Sequence, residues 1–552
     1  MAKIKHNNFI DTVDEVITDA TKEGIIHLYA VVEKLSGRKI RVQGEELYHF
    51  GTTVYLGLEQ DSRLKDAAIA AIHKYGTQFP LSKTYISHPL YAELEDKLTQ
   101  MYQNPVIITK NSTLGHIAVI PTAVRDEDAV ILDHQVHWSV QNATQILKTR
   151  GIPVEMIRHN NLEMLEDKIK KLSSKARKIW YMADGVYSMF GDYAPVAELL
   201  QLCRKYPQLH LYFDDVHGMS WKGKNGTGFI SESLGEIPKN MLLFGTLSKT
   251  FGASGAVLVC PDQELHRKIK NFGGPLTFSA QLEPASVAAA LASADIHLSE
   301  EIYQLQSELQ TRITHFNQRL EGTDLPLIEN NDSPVFYIGT GLPATGYALV
   351  KRLMKEGFFT NLGLYPAVPV KNTGVRITIS RHNQKVDIDA LTEALKFHLP
   401  KAIEESGSDL GRIYRFFRLD KNYTSKSNRN VDGSTELEII QQKSIEKIDR
   451  GLWNKLFNGR GVFDWEGLKF LESVFDSSNP TENNWSFYYI IVKDPSEEVI
   501  LAGFFTSCLW KDDMLAPVSV SRELEVRRET DPYYMSSKVL SLGSLFTEGA
   551  HL

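Results

Sequence analysis

The stretch FGTLSKTFGASGAV, from Phe244 to Val257, places one lysine, Lys249, among small hydroxyl residues and glycines. The apolar runs on either side, MLLF and GAVLV, predict two buried strands, so the lysine is carried towards the interior. Burial disfavours the charged form of an amine and lowers its pKa, which makes a lysine able to form a Schiff base with an aldehyde. The stretch therefore predicts a reactive amine at the end of a buried strand.

Outside this stretch, short apolar runs alternate with longer amphipathic segments from about residue 25 to about residue 410. This alternation is typical of an α/β domain with a largely parallel sheet. The predicted strands are PVIIT from Pro105, DAVILD from Asp128, KIWYMAD from Lys178, LHLYFDD from Leu209, NMLLFG from Asn240 and GAVLVC from Gly255. Farther on, LPATGYALVKRLMKEG predicts a helix, and VRITIS around Arg376 predicts a strand of a smaller subdomain.

The sequence changes character after residue 420, where DKNYTSKSNRNVDGST is polar and almost free of apolar side chains, as in a linker. Beyond it, ELEII predicts a strand, and GLWNKLF and WEGLKFLESVF predict helices. WSFYYIIVKD and EEVILAGFFTSCLW predict a hairpin, after which the sequence shows no closing element. We therefore expect a second domain in the C-terminal part of the chain.

Length and composition exclude several classes of protein. A chain of 552 residues with 42% hydrophobic and 23% charged residues is typical of a globular protein of two or three domains. A net charge of -7 without a block of lysine or arginine argues against nucleic acid or an anionic membrane as the main partner. The three cysteines have no metal or redox spacing, and no apolar run is long enough for a signal peptide or an integral membrane segment. We expect a cytoplasmic protein.

A second cluster of polar residues occurs in YFDDVHG, which places Asp214 and His217 at the carboxyl end of an apolar strand. Open α/β sheets bind their ligands at this edge. A metal site would need a second cluster of acids or histidines at ligand spacing, which the sequence lacks, so we predict no metal.

Pyridoxal phosphate would explain these residues together. It supplies an aldehyde for Lys249, a ring nitrogen that an aspartate keeps protonated, and a phosphate that needs N–H and hydroxyl donors. TKNSTLGHIAVI offers such donors, because Ser112 and Thr113 open an apparent helix whose N-terminus favours an anion. At this position serine and threonine are also ordinary helix caps.

The chain resembles the fold-type I pyridoxal phosphate enzymes and, within them, the α-oxoamine synthases. The resemblance covers most of residues 25 to 400. Its motifs occur in the family's order: VYLGL, HPLYAELE, DHQVHWS, RHNNLEMLE, GVYSMFGDYAPV, DDVHG, GTLSKTFG, LTFSA and GVRITIS.

The resemblance implies roles for individual residues. Lys249 would be the Schiff-base lysine and move the proton at the substrate α-carbon, Asp214 would pair with the ring nitrogen, and His217 would lie near the ring hydroxyl. His137 would stack on the ring. The phosphate would be held by Ser112, Thr113, Thr246 and Ser248, and by Thr277 of the neighbouring subunit, which implies a homodimer with a shared active site. Arg376 would bind the carboxylate of the amino acid substrate, and Ser188 is a further candidate for the cofactor site.

Taken alone, several of these residues have ordinary structural explanations. His137 beside Trp138 fits a packed core histidine, Arg376 in an apolar strand fits a structural ion pair, and Ser188 fits a turn hydroxyl. The sequence also departs from the family. Phe79, Pro80 and Lys83 stand where a glycine-rich stretch with an arginine is usual, in a segment that shapes the substrate pocket. Asp184 replaces a usual glutamate, and His116 a usual asparagine.

The expected fold is α/β, with an N-terminal arm over residues 1–50, a large cofactor-binding domain over 51–300 and a small α+β subdomain over 301–410. A linker over 411–435 and a partial GNAT-like acyltransferase domain over 436–552 follow, the latter expected to be non-catalytic. The expected reaction is the decarboxylative condensation of an amino acid with an acyl thioester, carried by coenzyme A or a carrier protein, to give an α-amino ketone. Transamination, another fold-type I reaction, or a non-catalytic scaffold are the alternatives.

Overall fold

The computed structural model describes residues 6–31, 35–419, 438–457, 463–494, 499–513, 516 and 518–544. The chain divides into two compact units, Met1–Ser425 and Lys426–Leu552. The boundary between them falls inside the segment predicted as a linker.

The first unit begins with helix α1 (His6–Lys22), followed by two short antiparallel strands, β1 (Lys39–Val42) and β2 (Glu45–His49). The second of these strands also pairs with a short strand near residue 358, so the N-terminal segment is tied into the fold by hydrogen bonds. The segment predicted as an N-terminal arm thus contains a helix and part of a sheet.

The buried apolar runs form a sheet of seven strands. They are β3 (Val106–Thr109), β4 (Ala129–Asp133), β5 (Val154–Ile157), β6 (Ile179–Asp184), β7 (Leu209–Asp214), β8 (Met241–Thr246) and β9 (Ala256–Val259). Their order across the sheet is β3-β9-β8-β7-β6-β4-β5. The pairs from β8 to β5 are parallel, and β9 is antiparallel to both of its neighbours. The predicted mostly parallel sheet is therefore confirmed, and β5 is the strand that the sequence did not indicate.

Helices make up much of the first unit, and those between the parallel strands join them, as parallel pairing requires. In the first unit they are α2 (Ser62–Tyr75), α3 (Leu90–Tyr102), α4 (Ser112–Ala123), α5 (Trp138–Lys148), α6 (Leu162–Leu172), α7 (Val196–Lys205), α8 (Phe229–Leu234), α9 (Gln263–Phe272), α10 (Gly274–Phe278), α11 (Pro284–His297), α12 (Glu301–Leu320), α13 (Pro343–Lys355), α14 (Lys385–Glu405) and α15 (Leu410–Phe417). All residues of β3, β4 and β6 are buried, because helices pack on both faces of the sheet.

A smaller antiparallel sheet follows the long helix α12. Its strands are β10 (Val335–Gly341), β12 (Asn361–Gly363) and β13 (Thr373–Thr378), with β13 in the centre, and β11 (Phe358–Phe359) pairs with β2 instead. A separate apolar core joins this sheet to α12, α13 and α14. The predicted helix and strand of the small subdomain are both present in this region.

The predicted linker over 411–435 differs from the structure at its start. Residues 410–417 form helix α15, because Ile413 and Tyr414 bury one apolar face while Asp409 caps the first turn through the backbone N–H of Arg412. Residues 420–435 lie outside the described residues.

The second unit contains helices α16 (Arg450–Phe457), α17 (Trp465–Val474) and α18 (Val518–Arg528) and one antiparallel sheet. The strands of this sheet, in order, are β14 (Glu438–Gln442), β15 (Ser486–Lys493), β16 (Val499–Lys511) and β17 (Ser536–Leu542). The predicted pairing of β15 with β16 is confirmed. Helix α18 and strand β17 are not indicated by the sequence pattern; β17 carries mostly exposed side chains and lacks an apolar run.

Among the described residues, no helix combines the length and the apolar composition needed to cross a membrane.

Candidate active site

Lys249 lies in the turn after β8, as predicted. Its Nζ is 2.7 Å from Nε2 of His217, which follows β7. Burial lowers the pKa of Lys249 to about 8, although the nearby carboxylate of Asp214 acts in the opposite direction. A sizeable fraction of this amine is therefore neutral near neutral pH, as a nucleophile or a base requires.

His217 connects Lys249 to a tyrosine from the N-terminal part of the chain. Its Nδ1 lies 2.8 Å from the hydroxyl of Tyr55, and its backbone carbonyl accepts a hydrogen bond of 2.6 Å from Nε1 of Trp221. Burial, followed by the positive charges of Lys249 and Arg376, lowers the pKa of His217 well below its usual value. The ring is therefore neutral.

Asp214 ends β7 and is almost completely buried. Its Oδ2 lies 2.9 Å from Nε2 of His116, and the Nδ1 of that ring lies 2.6 Å from the hydroxyl of Tyr212. Burial raises the pKa of Asp214, but its interactions with the hydrogen-bonded His116 ring, and with His137 and Lys249, outweigh burial and hold the pKa below its usual value. The group is a carboxylate able to face a cation.

His137 caps helix α5 and is only partly buried, so the core-packing alternative does not describe it well. Its backbone N–H donates to Oδ1 of Asp184 at 2.9 Å, and its Nδ1 lies 2.6 Å from the hydroxyl of Ser139. The pKa of His137 is lowered by burial and responds to the charges of Asp214 and Lys249, which places the ring near both.

Ser112 and Thr113 form the first turn of α4, which Asn111 caps by accepting from the backbone N–H of Leu114 at 2.8 Å. In the second turn, Gly115 packs against β8: a Cβ there would lie 2.6 Å from Cε1 of Phe244. Only a glycine allows the helix to approach the sheet so closely.

Thr246 and Ser248 lie in the same turn as Lys249. Both hydroxyls donate to the carbonyl of Gly255, at 3.2 and 2.9 Å, and the Gly255 N–H donates back to the Ser248 hydroxyl at 2.9 Å. These bonds close the turn that presents Lys249, while the Ser248 residue stays exposed.

Arg376, on β13, is nearly buried, and its Nε donates to the backbone carbonyl of Ser188 at 2.6 Å. Its charge lowers the pKa of both His217 and Lys249, so the guanidinium lies close to them. No acidic side chain among the described residues forms an ion pair with Arg376, which argues against the structural ion pair. Ser188 contacts the site through its backbone carbonyl, which accepts this hydrogen bond from Arg376.

Thr277 lies in α10, and its hydrogen bonds join it to the segment around residue 83. Its hydroxyl accepts from the Thr84 hydroxyl at 3.2 Å, and its carbonyl accepts from the Ser82 hydroxyl at 2.9 Å. The segments over 77–82 and 277–283 line a groove of about 540 Å³. Lys83, in the segment that departs from the family, is paired with Glu95 at 3.0 Å.

Three residues of the cluster were not predicted: Tyr55, His116 and Tyr212. VYLGL and NSTLGHI were noted as motifs, but nothing local indicated that their tyrosine and histidine reach His217 and Asp214. The hydrogen bonds that bring them there join residues 162 and 98 positions apart. One feature of the sequence could have drawn attention to His116: it stands where the family usually has an asparagine.

The donor set fits pyridoxal phosphate. A partly neutral lysine amine, a buried carboxylate and a helix N-terminus with two hydroxyl residues match its aldehyde, ring nitrogen and phosphate. The described residues contain no group of three acids, histidines or cysteines that could hold a metal ion.

The chain is similar to known proteins over most of its first unit. Residues 45–395 match the family model described as aminotransferase class I and II. The chain is 30% identical over 391 residues to the 8-amino-7-oxononanoate synthase of Thermoanaerobacter pseudethanolicus, which covers 70% of this chain and 96% of the relative. The enzyme of that name from Petrotoga mobilis is 28% identical over 414 residues, covering 74% and 100%.

Two solved structures share the fold. The serine palmitoyltransferase of Sphingomonas wittichii superimposes with a TM-score of 0.65 at 22% identity, covering 72% of this chain and 98% of that one. The 8-amino-7-oxononanoate synthase of Francisella tularensis gives a TM-score of 0.55 at 22% identity, covering 65% and 98%. With the family match, these findings lead to one conclusion: this chain belongs to the aminotransferase class I and II family, among its pyridoxal-phosphate-dependent α-oxoamine synthases.

Proposed function

We propose that this protein condenses an amino acid with an acyl thioester, with loss of carbon dioxide, to give an α-amino ketone. The observation that carries the proposal is the convergence of Lys249, Asp214 and Arg376 in one buried cluster. Together these side chains supply an amine, a carboxylate and a guanidinium without an acidic partner among the described residues, which the condensation of an amino acid needs. The relatives named 8-amino-7-oxononanoate synthase support the same class of reaction.

Pyridoxal phosphate would be held at this cluster by residues from several strand ends. Lys249 would bind its aldehyde carbon, Asp214 its ring nitrogen, and His137 and His217 would contact the ring. The proposed phosphate ligands are Ser112, Thr113, Thr246 and Ser248, with Thr277 contributed by a second copy of the chain; Ser188 remains a candidate. When bound, the cofactor supplies an electron-accepting ring that stabilises a carbanion at the substrate α-carbon.

Lys249 is the group that we expect to move the proton at the α-carbon. Its pKa of about 8 lies near physiological pH, where a general base is most effective. The neutral His217 ring, 2.7 Å from the amine, would hold Lys249 in position without adding a competing positive charge.

Arg376 is the proposed ligand of the substrate carboxylate. A nearly buried guanidinium without an acidic partner is costly, and a substrate carboxylate would pair with it through charge-assisted hydrogen bonds. The bond from Nε to the Ser188 carbonyl fixes one edge of the guanidinium and thereby orients the others.

Transamination would use the same cofactor residues, so the reaction itself has to distinguish the two. The test is to add a panel of amino acids to the protein loaded with pyridoxal phosphate, follow the visible absorbance, and then add acyl thioesters. We expect one amino acid to change the spectrum, and free thiol and carbon dioxide to form only when both substrates are present. The variant Lys249→Ala should release neither.

Two results would contradict the proposal. Release of a keto acid from the amino acid without any thioester would indicate a transaminase. A protein that binds no pyridoxal phosphate after reconstitution would indicate a scaffold that retained the fold. If thiol release does require both substrates, a series of thioesters of different chain length, on coenzyme A and on a carrier protein, would identify the acyl donor.

We also propose that the working unit is a homodimer. Five large apolar side chains are exposed around Thr277 and the segment that contacts it: Leu81, Tyr85, Ile86, Phe272 and Phe278. Exposed apolar residues grouped in this way mark contact surfaces. A second copy of the chain is the partner that we propose for this surface, with Thr277 facing the site of the other copy.

A further inference from the structure

His116 lies fully buried between two polar groups of strand β7. Its Nδ1 is 2.6 Å from the Tyr212 hydroxyl and its Nε2 is 2.9 Å from Oδ2 of Asp214. Phe244 packs against the same ring, with the ring centres 4.5 Å apart. The histidine is therefore fixed in place by contacts on several sides, with one nitrogen directed to each partner.

The hydrogen bonds define the proton positions on this ring. Burial, with the charge of Asp214, raises the pKa of Tyr212 well above its usual value, so its hydroxyl keeps its proton. Within the described part of the chain, that hydroxyl forms its hydrogen bond with His116, so we assign it as the donor to Nδ1. The ring proton is then on Nε2, which donates to the Asp214 carboxylate.

We propose that His116 is a positioning residue that keeps Asp214 ionised and oriented for the ring nitrogen of pyridoxal phosphate, with Tyr212 fixing the histidine tautomer. The inference rests on the proposed role of Asp214 in the function above. Because an asparagine is usual at this position, the longer histidine would be this chain's own way to reach the carboxylate.

Four other titratable side chains interact electrostatically with Asp214. Asp184 and Asp215 are carboxyl groups whose own pKa values are raised well above the usual value by burial, with a further contribution from the negative charge of Asp214. His137 and Lys249 favour the carboxylate when they are protonated. His116 differs from all four, because it is the one of these five side chains with a hydrogen bond to Asp214.

A matched pair of variants separates the two hydrogen bonds of His116. In His116→Asn the amide takes the place of Nδ1 and cannot reach Asp214, whereas in His116→Gln an amide N–H can take the place of Nε2. Losing a hydrogen bond to a charged group should weaken the affinity for pyridoxal phosphate about tenfold in the asparagine variant. The glutamine variant should stay close to the parent.

The measurement is the dissociation constant of pyridoxal phosphate from the cofactor-depleted protein, by fluorescence quenching, over a pH series. Removing the hydrogen bond raises the pKa of Asp214, so the carboxylate is lost at a higher pH and binding weakens earlier as the pH falls. We call the pH below which the affinity for pyridoxal phosphate falls the acid limb. In His116→Asn this acid limb should move up by about one pH unit. Tyr212→Phe should shift the acid limb in the same direction. It removes the donor to Nδ1, so the ring proton of His116 is no longer held on Nε2, although the ring itself stays in place.

The variant Asp214→Asn distinguishes this inference from the proposed function. If it binds pyridoxal phosphate like the parent at every pH, the role of Asp214 fails, and the inference fails with it. If Asp214→Asn binds weakly while His116→Asn and Tyr212→Phe keep the parental affinity and acid limb, the inference alone is overturned. Equal weakening in His116→Asn and His116→Gln, with a parental acid limb in Tyr212→Phe, would assign His116 to packing and would also overturn it.

Discussion

His159 is a single residue that links two carboxylates near the carboxyl ends of the parallel strands. Its Nδ1 lies 2.9 Å from Oδ1 of Asp133, and its Nε2 lies 2.6 Å from Oδ2 of Asp192. Burial lowers the pKa of His159, but the hydrogen bonds to both aspartates outweigh it and raise the pKa to about 9. The charged ring fixes Asp133, whose strand leads directly to His137.

This arrangement predicts how stability depends on pH. The folded pKa lies above the unfolded value of about 6.5, so the stabilisation is complete below about pH 6.5 and is lost as the pH rises through 9. The free energy of unfolding of the parent should therefore fall by roughly 2 to 3 kcal/mol more than that of His159→Gln across this range. Urea unfolding followed by circular dichroism at several pH values measures both slopes.

A second buried histidine provides the control for this prediction. Burial lowers the pKa of His297 to about 4, so it does not titrate in the same range. The variant His297→Gln should lose stability without changing the slope. Equal slopes for the parent and His159→Gln would show that the charge on His159 does not stabilise the fold.

The sequence indicates those site residues that directly follow a recognisable apolar strand. Lys249 and Asp214 each follow an apolar strand, so their positions at one edge of a parallel sheet could be predicted. Tyr55 and His116 could not, because neither follows such a strand and each reaches its partner only after distant segments have packed together. Local patterns predict where a strand ends but not which side chain from elsewhere meets that end.

At the scale of the helix, α4 carries an asparagine cap at the proposed phosphate site. The variant Asn111→Ala removes the acceptor for the Leu114 N–H and should destabilise the protein by about 1 kcal/mol. It should also weaken the binding of pyridoxal phosphate, because the first turn of α4 would no longer hold its N–H groups in place. Chemical unfolding and cofactor titration measure the two effects.

Helix α6 offers a matched control, since Asn161 caps it by accepting from the N–H of Met164 at 2.7 Å. The variant Asn161→Ala should lose a similar free energy of unfolding and keep the affinity for pyridoxal phosphate. If both variants bind the cofactor like the parent, the N-terminus of α4 does not hold the phosphate.

The elements differ in how far they could be predicted. The six strands found from the sequence lie inside the sheet or are buried, so each is a mainly apolar run. Strand β5 lies at the edge, where partial exposure tolerates the Glu155 side chain and interrupts the pattern. Helix α15 was assigned to a linker because its apolar face is short and lies next to a polar segment.

At the scale of the whole molecule, the proposed dimer predicts a change of mass. The Phe278 side chain is 89% exposed, and burying it against a second copy would contribute apolar contact area. The variant Phe278→Ser should shift the protein towards the monomer and lower its affinity for pyridoxal phosphate through the displaced Thr277. Analytical ultracentrifugation and cofactor titration measure these two properties.

Phe470, in the second unit, is 67% exposed and provides a comparable phenylalanine outside the proposed contact surface. Phe470→Ser should leave both the mass and the cofactor affinity unchanged. A parent protein that sediments as a monomer at all concentrations would contradict the homodimer.

The division into two units agrees with a change in composition that is visible in the sequence, because a polar segment separates two regions that each contain apolar runs. The boundaries within the first unit, at residues 50 and 300, remain predictions. So do the likeness of the second unit to a GNAT-like domain and the cytoplasmic location. In the second unit, β14 overlaps the strand predicted at ELEII, whereas β17 is largely exposed and carries no apolar run that could indicate it.

The close approach of Gly115 to Phe244 has a consequence for how the site can evolve. It prevents α4 from rotating about its axis, and Ser112 and His116 lie four residues apart on one face of that helix. A change that tilts the helix would therefore disturb the proposed phosphate site and the contact with Asp214 together. Natural variation at these two positions should be correlated, and the effects of substitutions at them should not add.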